Sequence, residues 1–202
     1  MSAAPNAAID RLAAATDAAL RSGVPEAAVC EAVRPAMAGL LADAEPLPAG
    51  AREPYEGAAV GNLVHADPEG RFHVLAVVFP EGTSSGVHLH GCWGVIGYLQ
   101  GGDEETRYRW REGRPREESR HVWHQGDITY LLPDDGGAGP GDRSGCWHRV
   151  RNPGPGPGVS VHVLCRLPAD HPHDFWDRDA GEVRAFPFIE RAPGRWQAML
   201  AR

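Results

Sequence analysis

Residues 86–101 read GVHLHGCWGVIGYLQG. His88 and His90 are two apart. On a strand, side chains at i and i+2 share a face, so the two imidazoles stand together while Val87 and Leu89 face the other way. Two buried imidazoles each need a hydrogen-bond partner, and a metal ion satisfies both at once. A pair of surface histidines on an edge strand is the alternative. A further histidine, His148, opens the strand-like stretch WHRVRN (147–152), which a barrel can return to the side of the first. In VSVHV (159–163), Ser160 and His162 again share one face of a period-two segment.

The elements that must position these side chains are short strands. From about residue 58 the apolar period is two. Candidates are 59–65, 71–79, 86–90, 93–99, 104–111, 119–123, 127–131, 147–151 and 159–166, with turns such as DPEG, QGGD and REGRP between them. Regularly spaced short strands without a helical interruption predict a sandwich or barrel. Ahead of them, residues 6–22 place Ile9, Leu12, Ala13 and Leu20 at helical spacing, with Asn6 as N-cap and Gly23 as stop. A second helix is expected over about 25–42, with Pro35 kinking or breaking it. The expected organisation is a helical appendage and linker over 1–57, then a barrel with its tail over 58–202. The tail from 169 is less regular, and Trp176, Phe186, Phe188 and Trp196 are expected to anchor it. The glycine-rich stretch 134–146 is a candidate gate before His148.

Composition limits the function classes. The chain has 202 residues, 42% hydrophobic and 23% charged, as in ordinary globular proteins. A net charge of -7 gives no support for nucleic-acid binding. No apolar run reaches the roughly 18 residues of a membrane span. Asp10, Arg11 and Asp17 make the N-terminal segment too polar for a secretory signal. Cys30, Cys92, Cys146 and Cys165 form no CxxC pair, so a reduced, cytoplasmic protein is expected, as a monomer or small homo-oligomer. Cys92, close to the HxH, and Cys146, two before His148, are expected to be inert buried thiols, with a ligand role or a crosslink as the alternatives.

Together the motifs resemble the cupin superfamily. Its first motif contains HxH, and its second contains a histidine with an asparagine four residues on, matched here by His148 and Asn152. Most metal-binding cupins carry a glutamate about four residues after HxH. Gly94 stands in that place, and no acid occurs between His90 and Asp103. That departure narrows the resemblance to the thiol dioxygenases, the cysteine dioxygenase family in its bacterial form. HLHGCWGVIGYLQGGDEE, HRVRN, SVH and FWDRDAGEVRAF are similar to that family's segments, and the likeness runs from about residue 58 to 187. It implies a mainly β cupin double-stranded β-helix (jelly-roll) barrel behind an N-terminal pair of helices. It also implies a mononuclear Fe(II) held by His88, His90 and His148. The implied reaction adds both atoms of O2 to the sulfur of a small-molecule thiol, giving a sulfinic acid. Three neutral imidazoles leave the full 2+ charge of the ion, which favours an anionic thiolate. Iron comes from the resemblance alone, because this ligand set also accepts Zn, Ni, Co or Cu.

Two departures bear on mechanism and substrate. The family's serine–histidine–tyrosine relay is matched by Ser160 and His162, but Leu164 takes the tyrosine's place. A structural polar pair is the other reading of Ser160 and His162. Cysteine dioxygenases grip the substrate carboxylate with an arginine before an Asn-Leu pair, and relatives acting on mercaptopropionate use glutamine. Here Gly61 precedes Asn62. This argues against free cysteine and for a bulkier thiol, with ergothioneine one candidate, or for a carboxylate bound elsewhere. Gly61, Trp93 and Leu164 are the expected substrate neighbours. Trp93, Trp123, Trp147 and Tyr98 supply either aromatic faces for a cationic substrate or core. His121 and His124 face opposite sides of a strand, and His171 and His173 lie in a proline-broken loop. His65 and His73 have no spacing that ties them to the site. The rival readings are another metal-dependent cupin enzyme and a non-catalytic binding cupin.

Overall fold

The computed structural model describes residues 6–48, 50–55, 57–132, 146–165, 174–185 and 188–198. Helix α1 (Ala7–Arg21) starts where Asn6 is extended and its side-chain oxygen accepts from the backbone N–H of Ala8 and Ile9, both at 3.0 Å. That satisfies two donors a bare helix end would leave open. Helix α2 (Glu26–Leu41) runs through Pro35 without a break. Burial of Val29, Val33, Met37 and Leu40 holds the helix against the sheet on both sides of the proline.

Nine strands follow close to the expected positions: β1 (Val60–Ala66), β2 (His73–Phe79), β3 (His88–His90), β4 (Gly94–Gln100), β5 (Gly102–Arg111), β6 (Arg114–His124), β7 (Ile128–Leu131), β8 (Cys146–Arg151) and β9 (Gly158–Leu164). The tail, expected to be irregular, adds β10 (Asp174–Asp177), β11 (Glu182–Ala185), β12 (Phe188–Ala192) and β13 (Arg195–Ala198). All pair antiparallel in two sheets, ordered β12-β13-β1-β2-β9-β4-β7 and β11-β10-β3-β8-β5-β6. This is the mainly β cupin double-stranded β-helix behind two N-terminal helices. Strand β6 is longer than expected because β5 and β6 form a ribbon. Glu112 (φ 52) and Gly113 (φ 76) turn it, both in the left-handed region that a two-residue hairpin requires.

The seven-stranded sheet is covered on both faces. Val74, Ala76, Val78, Val95, Val159, Val161 and Val163 point outward into one cluster with Leu12, Val33, Met37 and Leu40 of the helices. A β-carbon at Gly97 would lie 2.7 Å from Met37 Sδ, so glycine lets helix α2 approach β4 this closely. The alternate residues Leu75, Ile96, Tyr98 and Leu164 face the barrel interior. The period of two thus delivers one face to the helices and the other to the site.

The cysteine expectation is corrected. Cys92 and Cys165 form a disulfide, with Cα atoms 6.0 Å apart, a spacing that a bridge accommodates. Gly94 pairs with Leu164 across β4 and β9, which carries the neighbouring Cys92 and Cys165 together. The reducing compartment inferred from unpaired cysteines loses that support. Among the described residues, no helix is long and apolar enough to cross a membrane. Residues 133–145, with nearly all of the proposed gate, and His171, His173 and Phe186 lie outside the described residues, as does the side chain of Phe188.

Candidate metal centre

Strand β3 is three residues long and sits between β8 and β10. Its register with β8 sets His88 directly across from His148. Opposed residues share a face, so the third histidine joins the first two without any irregular backbone. The three ligand nitrogens lie within 4.8 Å of one another. His88 Nε2 is 2.9 Å from His90 Nε2 and 3.2 Å from His148 Nε2. All three rings are buried.

The supporting bonds orient the rings. Glu105 reaches His148 from β5, with its Oε1 2.8 Å from Nδ1. A carboxylate only accepts, so Nδ1–H donates and the Nε2 lone pair turns toward the other two histidines. His88 Nδ1 lies 3.3 Å from the carbonyl of Gly86, which favours the same tautomer. Ser85 braces the approach to β3: its Oγ donates to Gly86 O at 2.9 Å and accepts from Val150 N–H at 2.9 Å.

Glu105 is 1% exposed, so its charge needs compensation. Trp123 Nε1–H donates to Oε2 at 2.9 Å, and Arg107 Nε is 3.2 Å from Oε1. Burial pushes the Glu105 carboxyl up, but the bonds from His148 and Trp123 and the Arg107 charge outweigh it, to about 2. Sequence reasoning missed this residue. It noted the absent acid after HxH, whereas the site's carboxylate comes from another strand and stands behind a ligand. The site is therefore less bare of negative charge than three imidazoles alone.

The donor set fits a divalent transition metal: three converging imidazole nitrogens, buried, two of them backed by acceptors at Nδ1. Among the described residues, no carboxylate belongs to the cluster itself. The ion's identity does not follow from it.

A cavity of about 90 Å3 opens beside the histidines. His162, Leu164, Gly61, Tyr98, Asp103 and Trp196 are among its lining residues. Ser160 Oγ and His162 Nε2 are hydrogen-bonded at 2.8 Å. Burial, with His148 and His73 nearby, lowers the His162 imidazole to about 3, so it stays neutral. Gly61 and Leu164 stand at the cavity. Trp93 does not: it is 4% exposed within the core cluster shared with the helices, because the residue before Gly94 falls on the outward side of β4. Trp147 is fully buried and stacked on Trp110, and Trp123 stacks on Tyr98 with ring centres 5.8 Å apart. Of the four aromatic candidates only Tyr98 lines the cavity. Trp196 comes from β13, in a tail whose pairing with β1 the sequence did not reveal.

The expected room at Gly61 is modest. An added β-carbon would lie 3.7 Å from Leu75 Cδ1 and 3.9 Å from Trp196 O. Cavities of about 150 Å3 hold a benzene ring. A 90 Å3 space suits a compact group, and this weighs against the bulkier thiol inferred from the glycine alone.

No family model matches the chain. Solved structures resemble it over part of its length. A cupin domain from Bordetella pertussis is 17% identical, covering 57% of this chain and all of that one, with a TM-score of 0.39. A Klebsiella pneumoniae protein with a double-stranded β-helix domain is 19% identical, covering 57% and 83%, with a TM-score of 0.39. A cupin-family protein with the same fold from Methanocaldococcus jannaschii is 13% identical, covering 58% and 91%, with a TM-score of 0.40. Fold and site together define a barrel of the cupin double-stranded β-helix fold with a buried three-histidine metal-site candidate.

Proposed function

We propose that the protein is a non-haem iron thiol dioxygenase, joining one small thiol and one O2 to give a sulfinic acid (RSH + O2 → RSO2H). The observation that carries this reading is the convergence of His88, His90 and His148 beside a cavity, with no carboxylate of the described residues in the ligand set. A ferrous ion, when bound, would supply thiolate binding and the redox chemistry that activates O2.

The chain's own residues do the rest. Leu75, Ile96, Val150 and Leu164 exclude water from the reacting sulfur. His162, held neutral, offers a polar nitrogen to the cavity without adding positive charge beside the ion's place. Its bond to Ser160 fixes the ring and gives a short route for a proton. Tyr98 puts a phenol into the cavity from β4, compensating for Leu164 on β9. Burial and the nearby Asp103 and Glu105 charges keep that phenol protonated.

Iron-loaded protein supplied with a panel of thiols tests this. The expected result is oxygen uptake with formation of the matching sulfinic acid, and none from metal-free protein. Full iron loading without uptake on any thiol would overturn the reading and leave a metal-dependent cupin of another activity.

A further inference from the structure

Asp103 is the second carboxyl group facing the barrel interior from β5. It is 4% exposed and lines the cavity. Its Oδ1 is buried and finds no hydrogen-bond partner among the described residues. A buried acceptor left open costs stability, so its retention asks for a donor that arrives from outside. Among the described residues no lysine or arginine lines the cavity, which is otherwise apolar apart from Tyr98, Ser85, Trp196 and the histidines. Tyr98, Asp103 and the four histidines are the ionisable groups that line it, and Glu105 acts on Tyr98 and Asp103 from behind the lining.

We infer that Asp103 is the specificity-determining residue of this cavity and selects thiols with a positively charged, N–H-donating end. The inference rests on the thiol reading of the same site. A carboxylate-ended thiol would meet Asp103 with like charge and find no cationic partner. An alkyl thiol would leave Oδ1 unpaired. An ammonium group two or three carbons from the sulfur would pair with it in a largely buried site, where such a bond is strong. The 90 Å3 volume suits a ligand of that size. Burial and the Glu105 charge raise the Asp103 carboxyl to about 7, so it is poised to ionise when a cation enters.

Cysteamine and propane-1-thiol have the same number of heavy atoms and differ in the ammonium group, so they make the test. In iron-loaded wild-type protein, kcat/KM for cysteamine should exceed that for propane-1-thiol by about 10- to 100-fold, the weight of one hydrogen bond to a charged group. 3-Mercaptopropionate should be the poorest of the three. In Asp103→Asn the ratio should fall toward unity. A wild-type ratio near one, or a ratio that Asp103→Asn leaves intact, overturns the inference; the wild-type arm needs no variant to fold. Calorimetry on zinc-loaded protein reads binding without turnover. There too cysteamine should bind more tightly than propane-1-thiol in wild type and lose that advantage in Asp103→Asn. If no thiol is oxidised but this binding difference is present, the dioxygenase reading fails and the role of Asp103 stands. If both thiols bind equally, the role of Asp103 fails whatever the oxygen electrode shows.

Discussion

Glu105 and Asp103 stand two residues apart on one strand, face the same interior and are almost equally buried, yet their surroundings are opposite. Glu105 receives His148, Trp123 and Arg107, and its carboxyl is driven down to about 2. Asp103 receives no donor at Oδ1 among the described residues, and its carboxyl is driven up to about 7. A saturated carboxylate is a fixture: its charge is spent on holding a ligand in place. An unsaturated one is an opening for something that enters. The barrel thus has a built end, where the histidines are braced, and a receiving end, where a bond is left to be made.

The largest expected effect breaks the built end. His148→Ala should empty the site, reducing bound iron from near one per chain to background by elemental analysis; unchanged metal content would remove His148 from the ligand set. Glu105→Gln should weaken metal affinity about 10- to 100-fold in a competitive chelator titration. Its amide still accepts from His148 but turns a donor toward the Trp123 N–H. The receiving end should respond in the opposite sense. Asp103→Asn should raise thermal stability by about 1 to 2 kcal/mol at pH 8, seen as a higher Tm. The sign follows from the raised pKa: the folded protein holds the Asp103 proton more tightly than the unfolded chain does. Wild-type stability therefore falls as pH rises between about 4 and about 7, and the variant's advantage grows over that window and levels off above it. Tm curves that stay parallel from pH 4 to 8 would contradict the burial of this charge. The smallest effect is at Gly61→Ala, whose new methyl meets only ordinary contacts at 3.7 and 3.9 Å; denaturant unfolding should change by less than about 0.5 kcal/mol.

The built end was largely legible in the sequence. His88 and His90 share a face by strand period alone, and His148 followed from the resemblance of WHRVRN to a second cupin motif. The Ser160–His162 pair was legible for the same reason as the first two histidines. Glu105 was not, because it meets His148 across 43 residues and only the β5–β8 register brings them together. Asp103 gave no sign either. Its meaning lies in a missing partner, which no spacing encodes. The Cys92–Cys165 bridge spans 73 residues and depends on the pairing of β4 with β9. Trp93 was misplaced because WG reads as part of the motif, while the strand's alternation sends that indole toward the helices. The tail strands were missed because each is short, and β10 and β13, which carry β11 and β12 into the sheets, pair with β3 and β1 laid down far earlier in the chain.

The central claim is that this barrel transfers both atoms of O2 to a thiol sulfur. Turnover of cysteamine by iron-loaded protein under isotope-labelled dioxygen, followed by mass spectrometry of the product, tests it most directly. The account predicts a sulfinic acid with both oxygens labelled. Label in one oxygen only, or in neither, would contradict it.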